Sequence, residues 1–412
     1  MHPLPNLRLL QFVPEPLPSF RADVATLFGK YLPRHGVTCH VAGMRGGDEP
    51  GQQGFAAVHR PAAPCPRWRR ELSFLALSLR LLLGADKRNY DIIQVRDMVS
   101  IGLVAMLIAR MKGIPFVYWM SFLMCEGRIS NARAQLLNHG GLRARLVLWK
   151  GLAERRLLYK FVLHGAQHIF VQSDAMLAFV VGKGIPASKL TAVPMGVDTE
   201  VLRPEHIVAQ RLPGWDGIPI VAYLGTLARQ RELHVVVETL LVVRRTHPSA
   251  RLLLIGDSPT RSDVDALREC AAKNGIADAV HITGWMPAAQ AWPLLAGADA
   301  AVSYFPRGEL LDTNSPTKLL EYLALGLPSV GNDNPDQVNV LSESRCGWLT
   351  QSSPASLAQA LSQILDDTAA ARVRAANGPA YIDSARSYRA IAAMVAQQYR
   401  RLAGNAEENH NA

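Results

Sequence analysis

The stretch that decides the fold is Ser315-Pro316-Thr317-Lys318-Leu319-Leu320-Glu321-Tyr322-Leu323-Ala324-Leu325-Gly326-Leu327-Pro328. Ser315 stands where a helix N-cap belongs, and Pro316 stands at the first helical position, where its missing N–H costs nothing. Gly326 is placed to end the helix, with Pro328 just beyond it. The apolar run before the stretch, residues 298–305, predicts a buried strand of a parallel sheet. The sequence therefore predicts a strand, a loop and a helix in one β/α unit.

The start of this helix is a candidate anion site. The N–H groups of Thr317, Lys318 and Leu319 are predicted to point out of the helix at the carboxyl end of a parallel strand, where a phosphate is best received. Glu321, one turn further in, is placed to accept hydrogen bonds from a vicinal diol such as a ribose. An ordinary β/α unit with a solvated glutamate has the same pattern, so this stretch alone does not decide between the two.

Length and composition bound the class of protein. A chain of 412 residues exceeds what one hydrophobic core usually holds, so two domains are expected. With 49% apolar and 19% charged residues, the composition is that of a folded globular protein. The five cysteines are scattered and lack metal-type spacing, which indicates neither a disulfide framework nor a zinc site. They are Cys39, Cys65, Cys125, Cys270 and Cys346.

The sequence also predicts where the protein resides. Residues 1–5 lack the basic start of a secretory signal, and the strand-length run after them is too short for its apolar core. The longest clean apolar stretch, residues 99–109, falls well short of the ~20 residues that a membrane span requires. We therefore predict a cytoplasmic protein without a transmembrane helix.

A formal charge of +10 and a pI near 9.6 call for an anionic partner, which could be nucleic acid, anionic lipid or a phosphorylated small molecule. The arginines are not interleaved with aromatic residues in any nucleic-acid module, so no nucleic-acid role is predicted. Basic residues lie beside Leu, Trp and Phe on predicted helices at 67–83 and 142–163. Such helices favour peripheral contact with an anionic membrane surface, here its inner face, although solvated faces would have the same composition.

Strands and helices alternate along the chain in two series. The first contains strands at 7–13, 37–42, 91–95, 115–120, 168–172 and 190–194, and helices at 20–34, 69–83, 99–111, 142–163 and 173–181; residues 43–66 and 121–141 are predicted loops. The second contains strands at 219–223, 251–255, 280–283, 300–304, 328–330 and 347–349, and helices near 231–246, 262–274, 287–296, 316–325 and 354–365. Strict alternation predicts parallel sheets covered on both faces.

This pattern predicts an α/β protein with two Rossmann-like domains that face each other across a cleft. We place the first domain at residues 1–203, the second at 204–387, and a C-terminal helix with a mobile polar tail at 388–412, the helix crossing back to the first domain. Neither series has Gly-x-Gly-x-x-Gly or Gly-x-x-x-x-Gly-Lys after its first strand. That weakens the case for a dinucleotide-dependent dehydrogenase or a nucleoside triphosphatase.

Several segments together resemble the retaining glycosyltransferases of family 4, the group 1 glycosyl transferases, which have the two-domain GT-B fold. The segments are 193–199 (VPMGVDT), 223–227 (YLGTL), 254–257 (LIGD), 282–287 (ITGWMP) and 315–328. The resemblance implies transfer of a hexosyl residue from a nucleoside diphosphate sugar to an acceptor hydroxyl with retention at the anomeric carbon. It further implies no bound metal and no cofactor besides the donor, with the donor on the second domain and the acceptor on the first.

The chain departs from the family pattern at two positions. Thr313, with Asp312 beside it, stands eight residues before Glu321, where the family often has the first glutamate of its E-x7-E motif. A threonine cannot supply a carboxylate to donor-sugar hydroxyls, so Asp312 or backbone N–H groups would take over. Thr226 follows Gly225, where the family often has arginine, while Arg231 stands at the position of its phosphate-binding lysine.

The chemistry of breaking a glycosyl–phosphate bond, together with the resemblance, assigns the site residues. Negative charge grows on the leaving diphosphate, so fixed cations and N–H donors there act most strongly in the transition state. Arg231 is the first catalytic candidate and Arg229 a second contact, since arginine binds phosphate bidentately. The full predicted set is Gly225, Thr226, Arg229, Arg231, Thr317, Lys318 and Leu319 for the diphosphate, Glu321 for the ribose, Gly256, Trp285 and Met286 for the base, and Asp312, Thr313, Asn314 and Ser315 for the donor sugar. Surface arginines and a Trp285 that simply packs are the plainer alternatives.

In the first domain, Trp119, Ser121, Glu126 and Arg128 follow a strand end and are predicted to face the cleft. Glu126 is a catalytic candidate that could orient the acceptor hydroxyl or the transferred sugar, or it could simply be solvated in a loop. None of the twelve histidines stands out as a base. The basic apolar helices make a saccharide or a polyprenyl-linked saccharide a plausible acceptor, as in surface-polysaccharide assembly.

Two other functions fit the same sequence. A sugar-nucleotide 2-epimerase can share the two-domain architecture and bind the same donor, but needs no acceptor. A catalytically silent GT-B subunit that binds a partner enzyme is suggested by the departures at Thr226 and Thr313.

Overall fold

The computed structural model describes residues 6–19, 21–46, 54–61, 66–138 and 140–411. The chain divides into two compact units, one of residues 1–194 with 388–412 and the other of residues 195–387. The division falls after Pro194, whereas the sequence places it after Arg203, within a stretch rich in polar residues and proline. Among the described residues, no helix combines the length and the apolarity that a membrane crossing needs.

The first unit is built on a seven-stranded, fully parallel sheet in the order β3-β2-β1-β4-β5-β6-β7. Its strands are β1 (Leu7–Leu17), β2 (Val37–Arg45), β3 (Ala57–His59), β4 (Ile92–Arg96), β5 (Phe116–Met120), β6 (His168–Val171) and β7 (Leu190–Ala192). Every residue of β4 and β5 is buried, as expected for central strands covered on both faces.

Helices connect these strands. They are a π-helix Asp23–Tyr31 with a 3-10 turn Leu32–His35, then α1 (Arg67–Gly84), α2 (Val99–Lys112), α3 (Met124–Asn138), α4 (Leu142–Leu157) with a π-turn Leu158–Val162, α5 (Leu163–Gly165) and α6 (Asp174–Gly182). Ser173, at the start of the helix predicted at 173–181, caps α6, since its hydroxyl accepts from the N–H of Met176 at 3.0 Å.

Two predictions for this unit need correction. The predicted loop at 43–66 contains the end of β2 and the short strand β3. Residues 47–53 and 62–65 of this predicted loop, which include Cys65, lie outside the described part of the chain. Phe20, the first residue of a predicted helix, also lies outside it. The predicted loop at 121–141 contains α3. Its buried residues include Cys125, Gly127 and Ile129, which are two positions apart and so do not show the helical period.

The second unit has a six-stranded parallel sheet in the order β10-β9-β8-β11-β12-β13. Its strands are β8 (Ile220–Leu224), β9 (Arg251–Ile255), β10 (Val280–Ile282), β11 (Ala300–Ser303), β12 (Ser329–Asn332) and β13 (Trp348–Thr350). Relative to the first strand of the unit this is the order 3-2-1-4-5-6 of a doubly wound fold. Its strand order reverses between β8 and β11, and ligands bind at the carboxyl ends of strands at such a point.

The helices of the second unit cover both faces of its sheet. They are α7 (His234–Val243), α8 (Arg261–Lys273), α9 (Ala288–Ala296), α10 (Thr317–Ala324), α11 (Pro335–Ser344), α12 (Pro354–Asp366), α13 (Thr368–Ala375) and α14 (Gly378–Tyr381), followed by a π-turn Ile382–Arg386. Gly326 ends α10 as predicted. It adopts φ 63°, and the N–H groups of Gly326 and Leu327 donate to the carbonyls of Leu323 and Tyr322, both at 3.0 Å.

The last helix, α15 (Tyr388–Asn411), belongs to the first unit, which is the return that the sequence predicts. Its buried face, with Tyr388, Val395 and Tyr399, packs against the core formed by β1, β2 and β5. The Tyr399 hydroxyl donates to Gln94 Oε1 at 2.5 Å. The helix runs to Asn411, so it includes residues for which the sequence predicts a mobile tail.

Candidate functional site

Three glycine turns follow β8, β9 and β10 and pack closely together. Gly225 and Gly256 adopt φ values of 139° and 148°, which side chains rarely tolerate. A Cβ at Gly256 would lie 2.1 Å from the carbonyl oxygen of Gly225. Gly256 also forms an antiparallel bridge with Gly284, and its N–H donates to Thr283 Oγ1 at 3.2 Å. These turns put bare backbone at the carboxyl edge of the sheet, beside the point where strand order reverses.

The start of α10 differs from the sequence prediction in its cap. The helix begins at Thr317 with Pro316 as N-cap, so no side chain caps it, and the predicted Ser315 N-cap is wrong. The Ser315 hydroxyl instead donates to Asp336 Oδ2 at 2.6 Å and accepts from the N–H of Met195 at 3.0 Å. Asp336 in turn pairs with Arg386 at 2.8 Å. We call the three buried side chains Ser315, Asp336 and Arg386 the Asp336 cluster.

The uncapped start leaves the first N–H groups of α10 without side-chain acceptors. These groups belong to Thr317, Lys318 and Leu319, as predicted. They carry the positive end of the helix dipole and can therefore bind an anion. The Asp336 cluster fixes the loop that leads into this helix, so the donors have a defined direction.

Lys318 concentrates positive charge at this point. Its ammonium lies 5.2 Å from the ring centre of Tyr223 and 5.7 Å from that of Phe305. The guanidinium carbon of Arg231 lies 4.7 Å from the Phe305 ring centre, so both cations flank one ring. Within the described part of the chain, neither cation forms an ion pair, which leaves their charge available to a ligand.

Burial and the repulsion of Arg231 lower the pKa of Lys318 to about 7, against the attraction of Glu321. The unliganded site is therefore electrostatically strained, and a bound anion would relieve the repulsion between the two cations.

Glu321 lies half-buried one turn into α10. Its Oε1 accepts from the indole N–H of Trp292 on α9 at 3.2 Å. Burial raises the pKa of Glu321, while the Trp292 hydrogen bond and the Lys318 charge oppose this shift. Trp292 orients the carboxylate and leaves acceptor positions for another ligand. Sequence reasoning missed Trp292, because no local pattern links it to a residue so far along the chain.

The two arginines of the turn after β8 are placed differently. Arg229 and Arg231 form a 3-10 turn, in which Arg231 is half-buried and Arg229 exposed. The backbone N–H of Arg229 donates to Asp263 Oδ2 at 3.2 Å, but its guanidinium pairs with no described side chain. Thr226 is exposed, and its carbonyl accepts from the Tyr223 hydroxyl at 3.4 Å. The structure therefore brings Arg231 to Lys318 and leaves Arg229 at the surface.

The predicted donor-sugar residues are all hydrogen-bonded within the protein. The Asp312 carboxylate accepts from Arg307 Nε and Nη2 at 2.7 and 3.0 Å. Thr313 Oγ1 and Asn314 Nδ2 both donate to the carbonyl of Leu310, at 2.8 and 3.3 Å. Ser315 belongs to the Asp336 cluster. Hydrogen bonds within the protein thus engage all four side chains. Contact of these four residues with a sugar stays a prediction.

The predicted base-binding residues lie at the ends of β9 and β10. Trp285 is 77% exposed, so it does not simply pack into the core. Met286 packs partly against the cluster that contains Leu253 and Ile255. Trp285 follows Gly284, which forms a bridge with Gly256, and contact of the exposed Trp285 with a base stays a prediction.

In the first unit, polar groups gather at the carboxyl ends of β4 and β5. Asp97, at φ 53°, accepts from the Ser121 N–H at 2.8 Å and from the Ser121 hydroxyl. Arg96 is fully buried and pairs with Asp23 at 2.5 Å. Trp119 lies in the core, 5.2 Å from Phe28 between ring centres.

Glu126 is in the first turn of α3, where the sequence predicts a loop. Both of its carboxylate oxygens are buried. The Tyr159 side chain lies beside this carboxylate, and a hydrogen bond between the two contributes to the raised pKa of Tyr159. Burial and the Glu126 charge raise the pKa of Cys125 to about 11 and also raise that of Tyr159. Arg128 forms an ion pair with Glu154. Glu126 is therefore a desolvated carboxylate, unlike the solvated alternative.

Two family models match the chain. Residues 23–201 match the family described as Glycosyltransferase Family 4, and residues 218–367 match the one described as Glycosyl transferases group 1. Their order along the chain matches the order of the two structural units.

Two curated proteins are similar over most of the chain. A protein of Escherichia coli K12 named as a colanic acid biosynthesis glycosyltransferase, WcaL, is 24% identical over 329 residues, which are 77% of this chain and 74% of the relative. A GDP-mannose-dependent alpha-(1-6)-phosphatidylinositol monomannoside mannosyltransferase of Mycobacterium tuberculosis is 26% identical over 284 residues, 67% of this chain and 72% of the relative.

Solved structures share the fold. Anabaena HepE, in complex with UDP and glucose, superposes with a TM-score of 0.66 at 15% identity, covering 96% of this chain and 100% of HepE. The sucrose-phosphate synthase of Thermosynechococcus elongatus gives a TM-score of 0.68 at 18% identity, covering 96% and 99%. The parallel sheets and their order are thus those of a known two-domain α/β fold.

Proposed function

The chain belongs to the family 4 glycosyltransferases of group 1, and on that premise we propose that it moves a hexosyl residue from a nucleoside diphosphate sugar to an acceptor hydroxyl, with retention at the anomeric carbon. One observation carries the proposal. Lys318 and Arg231 flank Phe305 at the uncapped start of α10, one turn ahead of Glu321. A diphosphate joined to a ribose matches this spacing of two cations, N–H donors and a carboxylate.

In the proposed reaction, the acceptor oxygen bonds to the anomeric carbon as the bond from that carbon to the diphosphate oxygen breaks. The acceptor proton passes to the leaving diphosphate, so the protein need not supply a separate base. Negative charge grows on the diphosphate during this step. Arg231, Lys318 and the first N–H groups of α10 therefore stabilise the transition state more than the ground state. In this proposal these groups stabilise the charge of the diphosphate without a metal ion or a cofactor.

If the diphosphate binds at the start of α10, the positions of the ribose, the base and the transferred sugar follow. Glu321, held by Trp292, accepts hydrogen bonds from the ribose hydroxyls. The base lies over the turns at Gly256 and Gly284, beside Trp285. We propose that the loop at 312–315 binds the transferred sugar after a rearrangement on donor binding, because Arg307 already engages the Asp312 carboxylate. The N–H groups of Asp312 and Asn314 also already donate to the carbonyls of Gly308 and Leu311.

We place the acceptor at the carboxyl edge of the first sheet, near Ser121 and Glu126. The desolvated Glu126 carboxylate is suited to orient a hydroxyl. The names of the two relatives refer to colanic acid biosynthesis and to a phosphatidylinositol monomannoside, so surface-polysaccharide or glycolipid assembly is the proposed role. A saccharide or polyprenyl-linked acceptor would be met at the inner face of a membrane, which the basic helices α1 and α4 contact peripherally.

A thermal-shift screen of UDP, GDP and their sugar derivatives tests donor binding. A ligand at about 100 times its dissociation constant stabilises the fold by about 2.7 kcal/mol. The double variant Glu321→Ala/Arg231→Ala should lose the shift, whereas Arg245→Ala, an exposed arginine of the same unit, should keep it.

Product analysis then separates the rival functions. Transfer should require an acceptor, give a retained linkage by NMR and survive EDTA. Conversion of the donor alone would identify an epimerase, and absence of any nucleotide binding would identify a silent subunit. Full activity of the double variant would overturn the proposed site.

A further inference from the structure

Asn332 is a buried polar residue that the proposed reaction does not use. It ends β12, at the carboxyl edge of the second sheet. The backbone pairing of β11 with β12 reaches only to Ser303 and Gly331, one position before it. The chain after β11 continues to Phe305, two positions beyond Ser303, so Phe305 lies past the end of this ladder.

The side-chain amide of Asn332 continues the hydrogen bonding where the ladder stops. Its Oδ1 accepts from the Phe305 N–H at 2.9 Å, and its Nδ2 donates to the Phe305 carbonyl at 2.8 Å. A carboxamide can hold both backbone groups of one residue, because it presents a donor and an acceptor side by side. Asn332 therefore fixes the backbone of Phe305 as a neighbouring strand would.

Asn332 is itself fixed by two further hydrogen bonds. Its Oδ1 also accepts from Gln337 Nε2 on α11, and its Nδ2 also donates to Ser352 Oγ, both at 2.8 Å. With the bonds to Phe305, the amide uses both of its N–H groups and both acceptor positions of its oxygen. A buried amide with every hydrogen bond made has one preferred orientation, so the position of Phe305 is defined by three segments of the second unit.

The ring of Phe305 is the ring that the two cations of the proposed donor site share. Its centre lies 4.7 Å from the guanidinium carbon of Arg231 and 5.7 Å from the ammonium of Lys318. Arg231 lies in the turn after β8 and Lys318 in α10, so the cations come from different segments. They repel each other, and the negative face of a ring that both approach offsets part of this repulsion. A shift of Phe305 would therefore move both cations relative to a bound diphosphate.

We propose that Asn332 is a positioning residue of the donor site, which places Arg231 and Lys318 by holding the backbone of Phe305. The inference rests on the diphosphate site proposed above, and it adds to that site a residue of another strand. The plainer alternative is that Asn332 only stabilises the fold. The two roles have different consequences, because the loss of a merely structural residue would not change the two cations selectively.

Hydrogen exchange at the Phe305 amide tests the contact with Asn332 directly. NMR of the full chain labelled with ¹⁵N-phenylalanine follows this amide, and the signal that is missing in Phe305→Leu identifies it. The amide should exchange slowly in the wild type and about tenfold faster or more in Asn332→Ala, which offers it no acceptor. Rapid exchange in the wild type would overturn the proposal, whatever the variant does.

Calorimetry tests the consequence for binding, with whichever of UDP and GDP stabilises the wild type more. Asn332→Ala should weaken binding by about tenfold or more, because hydrogen bonds from displaced cations to the diphosphate are lost. The matched control is Ser329→Ala at the other end of β12. It removes a similarly buried hydrogen bond, from the Ser329 hydroxyl to the carbonyl of Leu327 at 2.6 Å, and should bind the nucleotide as the wild type does. Equal losses of affinity in the two variants would show an effect of stability alone and would overturn the proposal.

The pH dependence of affinity separates positioning from stability. Burial and then the charge of Arg231 lower the pKa of Lys318 to about 7, while the charge of Glu321 opposes them. Nucleotide affinity should therefore weaken above pH 7 in the wild type. If the cations move apart in Asn332→Ala, their repulsion falls, the pKa of Lys318 rises, and the weakening begins at a higher pH. A lower affinity with the pH profile of the wild type would contradict the positioning role.

A double-mutant cycle with Phe305 locates the effect. Phe305→Leu keeps the backbone that Asn332 holds but removes the ring, so it should weaken binding similarly, and Asn332→Ala should add little to it. Fully additive losses would mean that Asn332 acts by another route, contrary to the proposal. Unchanged affinity in Phe305→Leu would also overturn it, and this result does not depend on whether Asn332→Ala folds.

Arg231→Ala distinguishes a failure of this inference from a failure of the proposed function. A loss of nucleotide affinity in Arg231→Ala but not in Asn332→Ala would overturn the role of Asn332 alone. A wild type that binds neither UDP nor GDP would overturn the diphosphate site and the positioning role with it.

Discussion

Gly225 and Lys318 are in direct contact: a Cβ at Gly225 would lie 2.7 Å from Cε of Lys318. The missing side chain at Gly225, with φ 139°, provides the space in which the lysine stem crosses the end of β8. The position of the cation therefore depends on a glycine in another β/α unit, and this dependence links the turn after β8 to the start of α10.

Gly225→Ala should weaken UDP binding by about tenfold or more, since strained backbone of this kind costs of order 1–3 kcal/mol and the new methyl displaces Lys318. Calorimetry with UDP provides the measurement. The control is Gly275→Ala, which also has a positive φ, of 66°, but has no atom within 4 Å of its Cβ. It should lower stability and leave UDP affinity unchanged. Equal losses of affinity in both variants would show that strain alone is responsible.

The lowered pKa of Lys318 predicts a pH-dependent affinity. Above pH 7, a growing share of the free enzyme has a neutral Lys318, and binding of a diphosphate must then take up a proton. The dissociation constant of UDP should rise above pH 7 by up to about tenfold per pH unit. Phosphate ionisation does not explain such a rise, because its second pKa is about 6.

Lys318→Arg should give a flat profile, since arginine stays protonated throughout this range. Proton uptake can be measured directly by calorimetry in buffers of different ionisation enthalpy. In the free wild type, the unfolded chain binds more protons than the folded one between pH 7 and 10.5, so Lys318 makes the free energy of unfolding rise with pH in that window. An equally steep affinity profile in Lys318→Arg would contradict this assignment.

The alternating pattern was sufficient to predict most strands of both sheets, because central parallel strands are short apolar runs between turn residues. The strands around the donor site, β8 to β13, lie close to their predicted positions. Helix α3 was not predictable by the same means. Its buried face is made of Cys125, Gly127, Ile129 and Ala132, and small residues give little hydrophobic contrast.

The candidate site was predictable only where its signal is local. Lys318 and Glu321 share one helix, so their relation follows from spacing. The hydrogen-bond partners of Ser315 could not be predicted from the sequence. A serine just before a helix is typically an N-cap, but here the Ser315 hydroxyl binds Asp336 and the N–H of Met195, which are distant along the chain. The pairing of Asp312 with Arg307 was equally unpredictable, although the two residues are only five positions apart.

Arg231→Ala should lower kcat by about 10²–10³, the usual effect of removing one donor from a developing anion in a water-poor site. Arg229→Ala is the matched control, because Arg229 is exposed and its guanidinium contacts neither Lys318 nor the Phe305 ring. Its effect should be less than about tenfold. Steady-state kinetics with a saturating acceptor measures both. Comparable losses in the two variants would mean that both arginines reach the diphosphate when the donor is bound.

Trp292→Phe tests whether the indole positions Glu321. The ring stays apolar, but the hydrogen bond to a charged group is lost, and such bonds contribute about 1.5–3 kcal/mol. The KM for the donor should therefore rise by about tenfold or more with kcat nearly unchanged, since the ribose does not react. Glu321→Gln should give a similar rise and should not be additive with Trp292→Phe. Fully additive effects would indicate that the two residues act separately.

The Asp336 cluster should govern both stability and the direction of the α10 donors. Asp336→Ala leaves the buried Arg386 without its carboxylate partner. We expect this to lower the free energy of unfolding by about 3–5 kcal/mol, the usual effect of breaking a buried ion pair. Urea unfolding followed by circular dichroism, with hydrogen exchange to locate the loss in the second unit, measures this effect.

Asp336→Leu/Arg386→Met should recover much of the stability, because it removes both charges. It should not recover UDP affinity, because Ser315 then has no carboxylate to hold the loop before α10. Recovery of both properties would show that the cluster serves stability alone and that α10 takes its position from packing.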